Sequence, residues 1–157
     1  MMRIGFGYDV HAFTPDRPLI LGGVTIPFPL GLYGHSDADT VIHAVVDALL
    51  GAAALGDIGS HFPSHDTRWQ DQPSAIFLDY TFDLLRQQQW RINNIDTTIV
   101  AERPKLAPFT AAMRSHLAEH LHLDIAQVSV KATTTDGLGF AGRTEGIACY
   151  AVALLEK

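Results

Sequence analysis

Apolar residues recur along this chain first with a period of two and then with a helical period, turn and turn about, and that leaves few architectures open to it. Over 3–12, Ile4, Phe6 and Tyr8 alternate with Gly5, Gly7 and Asp9, a strand pattern. Leu19-Ile20-Leu21 and Val24-Thr25-Ile26, on either side of Gly22-Gly23, read as a small hairpin ended by Pro27 and Pro29. A long helix is expected over 37–54, with Ser36 or Asp37 as N-cap, Val41, Val45, Ala48 and Ala52 as its apolar stripe and Gly56 as its stop. Beyond a loop, Pro73 opens a second helix running to Gln89, and 94–101 reads as a strand. Pro108 opens a third helix running to Leu121, and strands are expected over 128–133 and 147–155. Such alternation implies an α/β (α+β) two-layer sandwich, one mixed β-sheet packed against helices, with the order of strands left open. No repeat, low-complexity tract or linker divides the 157 residues, so 1–157 reads as a single domain.

Charge narrows the function classes. A formal net charge of −6 argues against a nucleic-acid partner, which would call for a basic face. It also fits an anionic substrate badly, unless bound cations, oriented N–H groups and a few basic side chains reverse the field locally. No apolar run approaches the roughly 20 residues of a membrane helix, so no membrane role is expected. The opening residues lack both a signal peptide's apolar stretch and a transit peptide's Arg/Ser-rich character, and Cys149 is the only cysteine, so no internal disulfide is expected. A cytoplasmic location is the default expectation.

Asp9 and His11 stand at i and i+2, and on a strand they share one face. On the long helix, Asp39, His43 and Asp47 are spaced i−4, i, i+4 and form a polar line on an element otherwise apolar almost all round. A buried polar group left unpaired costs about 1–3 kcal/mol, so that line needs a partner. A metal on His43, with Asp39 or Asp47 orienting the imidazole from behind, would supply one. Two histidines and one carboxylate leave a tetrahedral zinc with an open position, as catalytic sites require. The same donors also describe non-haem iron oxygenases, although the helix argues against those. The plainer alternative has Asp9 and His11 capping a strand end while His43 hydrogen-bonds in the core. His116 and His120, at i and i+4, read as a solvated helix face.

Gly137-Leu138-Gly139-Phe140-Ala141-Gly142 matches the dinucleotide fingerprint G-x-G-x-x-G, but the true fingerprint opens a helix and here an apolar strand follows. What stands before it is more informative. Lys131-Ala132-Thr133-Thr134-Thr135-Asp136 brings hydroxyls able to donate to phosphate and a carboxylate able to hold Mg²⁺, with Arg143 as a fork for an anion. The alternative there is a Thr-rich strand ending in a flexible turn.

Taken in order, the motifs Y-D-V-H (8–11), G-H-S-D-A-D-x-x-x-H (34–43), A-L-G-D-I-G (54–59), P-K-L (104–106) and K-A-T-T-T-D-x-L-G-F-x-G-R (131–143) make the chain resemble the 2-C-methyl-D-erythritol 2,4-cyclodiphosphate synthase family from Arg3 almost to the end. The resemblance implies an enzyme of non-mevalonate isoprenoid synthesis that cyclises 4-diphosphocytidyl-2-C-methyl-D-erythritol 2-phosphate and releases CMP. It implies a homotrimer with active sites between neighbouring subunits. Asp9, His11 and His43 match the family's zinc ligands, His35 and Ser36 its substrate loop, and Asp57 and Gly59 the groups that hold the methylerythritol hydroxyls. Ala101, Pro104, Lys105, Leu106, Ala132, Thr133 and Thr134 match the cytidine diphosphate pocket given by the adjacent subunit. Phe62, Asp66, Phe140 and Arg143 complete the expected substrate contacts, and Thr134 and Asp136 join the zinc ligands as expected catalytic residues. Asp136 stands where the family usually has a glutamate ligand for Mg²⁺ or Mn²⁺. Three further departures are Gly137 in place of a commonly basic residue, Ser64 in place of an aspartate, and Tyr150 where some relatives carry a glutamate in the trimer's central channel. A zinc phosphohydrolase and a trimeric nucleotide-binding protein without turnover are the competing readings.

Overall fold

A computed structural model describes all residues, Met1–Lys157. A long first strand, β1 (Met2–Thr14), leads into a two-stranded hairpin, β2 (Leu19–Leu21) and β3 (Val24–Ile26), and a short strand β4 (Gly31–Leu32). Helix α1 (Thr40–Ala52), the single turn α2 (Ile58–His61) and helix α3 (Ala75–Gln87) follow. Then come strand β5 (Arg91–Val100), helix α4 (Thr110–His120), strand β6 (Val128–Thr133), the single turn α5 (Gly139–Gly142) and strand β7 (Gly146–Glu156). The main sheet has the order β4-β1-β7-β5-β6. Its pairs are antiparallel except β5 with β6, so the sheet is mixed and the chain's last strand is its middle one. Helix α1 lies on β1 and β7, α4 covers β6, and α3 packs against both helices. The expected two-layer sandwich is the observed fold.

The alternation in β1 sets how closely the layers approach. Gly5, Gly7, Asp9 and His11 share the face turned to α1. A Cβ at Gly5 would lie 1.8 Å from the carbonyl oxygen of Ala48, and one at Gly7 1.9 Å from that of Ala44. Only glycine lets the α1 backbone rest on the strand at this distance, and that contact carries His43 down to Asp9 and His11. The opposite face of the sheet has no covering layer, and Ile4, Phe6, Tyr8, Val10, Tyr150 and Val152 stand exposed on it.

Boundaries moved where capping chemistry decided them. Helix α1 begins at Thr40 rather than 37, because Ala38 takes a left-handed φ of 58° and Asp39 is the cap. The Asp39 carboxylate accepts the N–H groups of Val41 and Ile42 and also those of Gly22 and Gly23, so one side chain starts the helix and pins the hairpin turn to it. Ser36 and Asp37, the expected caps, point elsewhere. The second and third helices close two residues and one residue short of the expected ends, and β5 begins at Arg91 instead of 94. The turns α2 and α5 are too short to leave a periodic pattern. No helix is long and apolar enough to cross a membrane.

Candidate metal centre and adjoining pockets

His11 Nε2, His43 Nδ1 and Asp9 Oδ2 converge on one point: the carboxylate oxygen lies 2.9 Å from His11 Nε2 and 3.3 Å from His43 Nδ1, and the two nitrogens are 3.2 Å apart. Ligands on a tetrahedral zinc with bonds of about 2 Å stand about 3.3 Å from one another, close to these edges. Each ring is held from behind. His11 Nδ1 donates to the carbonyl of Tyr33 at 2.7 Å, which leaves Nε2 as the free donor atom. Asp9 Oδ2 is buried and has no hydrogen-bond partner, an arrangement that is costly unless a cation satisfies it. Burial pushes the Asp9 carboxyl up, but the two imidazoles facing it outweigh burial and hold it at about 2. Burial likewise works to lower the pKa of His11, and Asp9 and the Tyr33 carbonyl overcome it, leaving His11 above the ordinary histidine value. The donor set therefore fits a divalent metal, and the strand-end capping alternative fails because Asp9 caps nothing.

The carboxylates expected behind His43 are not there. Asp39 is spent on the four N–H groups described above, and Asp47 accepts the N–H of Ile58 at 2.7 Å, fixing the start of α2. Hydroxyls take their place: His43 Nε2 lies 2.9 Å from Ser74 Oγ and 3.2 Å from Ser36 Oγ. Ser74 belongs to no pattern on α1 and was not among the expected site residues.

Beside the metal ligands a cavity of about 220 Å³ opens, reached by His35, Ser36, Gly59, Phe62 and Ser64 and floored by Trp69 and Phe77. Phe62 stacks on Phe77 with centroids 4.3 Å apart and meets Trp69 edge-on at 5.2 Å. Trp69 and Phe77 were outside the sequence-based set. Their only signal was an aromatic spacing indistinguishable from core. Arg17 braces the loop that holds His35 and Ser36, donating to the carbonyls of Gly34 and Ser36. Asp57 caps α2, accepting from the N–H and hydroxyl of Ser60. Asp66 does not reach the cavity wall as a free acid: the Arg68 guanidinium grips it with both arms and holds its carboxyl down at about 2.

A second cavity, about 410 Å³, lies at the carboxyl ends of the parallel strands β5 and β6. Ala101, Pro104, Lys105, Leu106, Ala132, Thr133 and Thr134 line it together, joined by Glu102 and Ala107. Asp136 stands just beyond, exposed, with its N–H on Thr134 Oγ1 at 3.3 Å. Phe140 is partly exposed on α5, and Arg143 is paired with Glu145 rather than free for an anion. The glycine motif forms a turn, the four-residue α5 and then strand β7, not the opening of a dinucleotide-binding helix. The two cavities share no lining residue, the metal ligands belonging to the first and the threonines to the second. His116 and His120 also depart from the solvated-face reading: His120 pairs with Asp79 at 2.7 Å, and the half-buried His116 ring sits against Gly23.

Known proteins match this chain along its whole length. The model of the YgbB family matches residues 2–156. The 2-C-methyl-D-erythritol 2,4-cyclodiphosphate synthase of Syntrophobacter fumaroxidans is 56% identical over 156 residues, covering 99% of this chain and 98% of that protein. Among solved structures, IspF of Plasmodium falciparum in a CDP complex is 36% identical with a TM-score of 0.87, covering 98% of this chain and 95% of that one. The bifunctional IspDF of Campylobacter jejuni superposes with a TM-score of 0.95 at 43% identity, and this chain covers 99% of itself but 42% of that longer protein.

Proposed function

The chain belongs to the YgbB family, and from that membership together with the Asp9/His11/His43 triangle we propose that it cyclises 4-diphosphocytidyl-2-C-methyl-D-erythritol 2-phosphate to 2-C-methyl-D-erythritol 2,4-cyclodiphosphate, releasing CMP. The observation that carries this reading is the buried, unpartnered Asp9 oxygen facing two imidazole nitrogens whose other ring atoms are already committed. In the reaction, an oxygen of the 2-phosphate bonds to the β-phosphorus. The bridge between the β- and α-phosphorus breaks, and CMP leaves with the bridging oxygen. No protein nucleophile takes part, so the work of the chain is alignment and charge neutralisation, and good intramolecular alignment is worth about 7–11 kcal/mol.

Asp9, His11 and His43 would hold a zinc ion and Asp136 a magnesium or manganese ion, which would supply Lewis-acid charge neutralisation for the reacting phosphates and for the cytidylate side. One carboxylate is a sufficient protein anchor for magnesium when substrate phosphates complete its shell, and Asp136, free of any cation partner, fits that part. His35, Ser36, Asp57 and Gly59 hold the methylerythritol end, with Phe62 against its carbon skeleton. The pocket of Ala101, Pro104, Lys105, Leu106, Ala132, Thr133 and Thr134 takes the cytidine diphosphate, the small residues and backbone admitting the base while Lys105 and the hydroxyls meet the phosphates. Phe140 and Arg143 would add substrate contacts, Arg143 once released from Glu145. The working form is a homotrimer. The uncovered apolar sheet face is the surface that would be buried, and the separation of the two cavities is the reason one chain would need a neighbour. Incubation with Mg²⁺ and substrate, with and without a zinc chelator, tests the reading by phosphorus NMR and product mass. CMP with a cyclic diphosphate, lost on chelation, is expected. CMP with a linear diphosphate would make it a hydrolase.

A further inference from the structure

We propose that Ser74 and Asp37 are a positioning pair that locks the His43 imidazole with its proton on Nε2, so that Nδ1 is the atom offered to the metal. This rests on the reading of Asp9, His11 and His43 as a metal site. Ser74 stands at the N-cap of α3, where a serine side chain normally accepts a helix N–H, yet its hydroxyl makes no cap bond. It is fully buried. Instead the hydroxyl donates to Asp37 Oδ1, and the Ser74 backbone N–H donates to Asp37 Oδ2 at 2.9 Å. Asp37 is itself tied down, its N–H bonded to the carbonyl of Gln72 at 3.1 Å.

A hydroxyl has one proton. Since that of Ser74 goes to a carboxylate, its oxygen can only accept from His43 Nε2, 2.9 Å away. Nε2 must then carry the hydrogen, and Nδ1 keeps the lone pair that faces Asp9 Oδ2 and His11 Nε2. Ser36 Oγ stands farther from Nε2, at 3.2 Å, accepts the N–H of Ala38 at 3.3 Å, and lies 3.4 Å from Ser74 Oγ, to which its own proton can go, so it leaves the choice of tautomer to Ser74. The arrangement is a carboxylate–hydroxyl–imidazole relay in which the helix gives up its own cap to orient a ligand on another helix. It also couples the start of α3, and with it the Trp69–Phe77 floor of the cavity, to the metal ligand.

Nitrogen-15 NMR of the imidazoles in the metal-free protein reads the tautomer directly. His43 is expected with its proton on Nε2 in the native sequence, and as a mixture in Ser74→Ala. Zinc affinity measured by competition with a chromogenic chelator should fall about 10- to 100-fold in Ser74→Ala and less in Asp37→Asn, the usual scale for groups that orient metal-bound histidines. Circular dichroism and thermal melts of the metal-free variants separate this from unfolding, and Asp37→Asn keeps the test alive if Ser74→Ala does not fold. A proton on Nδ1 of native His43, or native zinc affinity in a folded Ser74→Ala, overturns the proposal. Absence of zinc binding by the native protein would remove the metal reading instead, and the tautomer measurement would still decide the positioning role.

Discussion

At the scale of single residues, the protonation of His11 ties metal loading to pH. Asp9 holds a proton on His11 above the ordinary value of 6.5, and a metal can bind only the neutral ring. Zinc affinity should therefore fall as pH drops through that raised value, by up to about tenfold per unit. The metal-free fold responds the other way. His11, raised on folding, contributes stability that is present below 6.5 and lost as pH rises through its folded value. Asp9, lowered from 3.8 to about 2, contributes stability that is present above 3.8 and lost as pH falls toward 2. Metal-free protein should gain from this cluster most between about pH 4 and 6.5, and zinc should raise the melting temperature more at pH 8 than at pH 6. Melts recorded with and without zinc at the two pH values check the sign; a zinc increment larger at pH 6 would contradict it.

At the scale of elements, two contacts govern how α1 is placed. In Gly7→Ala the new methyl would meet the carbonyl of Ala44 at 1.9 Å, and the helix would have to lift from β1. Overpacking of this kind costs about 3 kcal/mol, and because Gly7 is two residues from Asp9 on the same face, zinc affinity should fall along with the urea midpoint. Gly5→Ala meets Ala48 just as closely but lies farther from the ligands, so stability should fall with a smaller effect on zinc. Equal loss of affinity in both would show that the helix moves as a rigid rod. Asp39→Ala would strand the N–H groups of Gly22, Gly23, Val41 and Ile42 at once. A loss of about 3 kcal/mol in urea unfolding is expected, well beyond the ~1 kcal/mol of an ordinary cap. A loss near 1 kcal/mol would mean that the hairpin turn finds other acceptors.

At the scale of the whole molecule, the question is what covers the outer face of the sheet. Phe6 and Tyr150, with ring centroids 6.1 Å apart, head a patch that a monomer would leave in water. If the proposed trimer forms across this face, Phe6→Glu should yield monomers by light scattering and abolish turnover; a monomer with native turnover would overturn the need for a neighbour. Mixing offers a sharper test. His43→Ala and Lys105→Ala, each inactive alone, should recover part of the native rate when unfolded and refolded together, since some mixed trimers pair an intact metal centre with an intact nucleotide pocket. No recovery in mixed trimers of verified composition would place both pockets' work within one chain.

The outline of the fold was legible in the residues because it rests on local rules. Period-two runs gave strands at 3–12 and 128–133, the Gly22-Gly23 turn gave the hairpin, and Asp9 and His11 were bound to share a face once their segment was extended. The seven residues of the threonine pocket were collected by family motif, and their cavity forms because β5 and β6 run parallel, a pairing that no local pattern records. Tertiary structure alone decided that the last strand sits in the middle of the sheet, since strand order is set by which apolar faces find one another across long separations. It also decided what stands behind His43. Asp39 and Asp47 had the right helical spacing, but nearby backbone N–H groups took both carboxylates first. The role passed to Ser74, 31 residues away, because only the packing of α3 on α1 brings its hydroxyl to the ring. Spacing along a helix tells which side chains can meet; competition for hydrogen-bond donors in the folded chain settles which of them do.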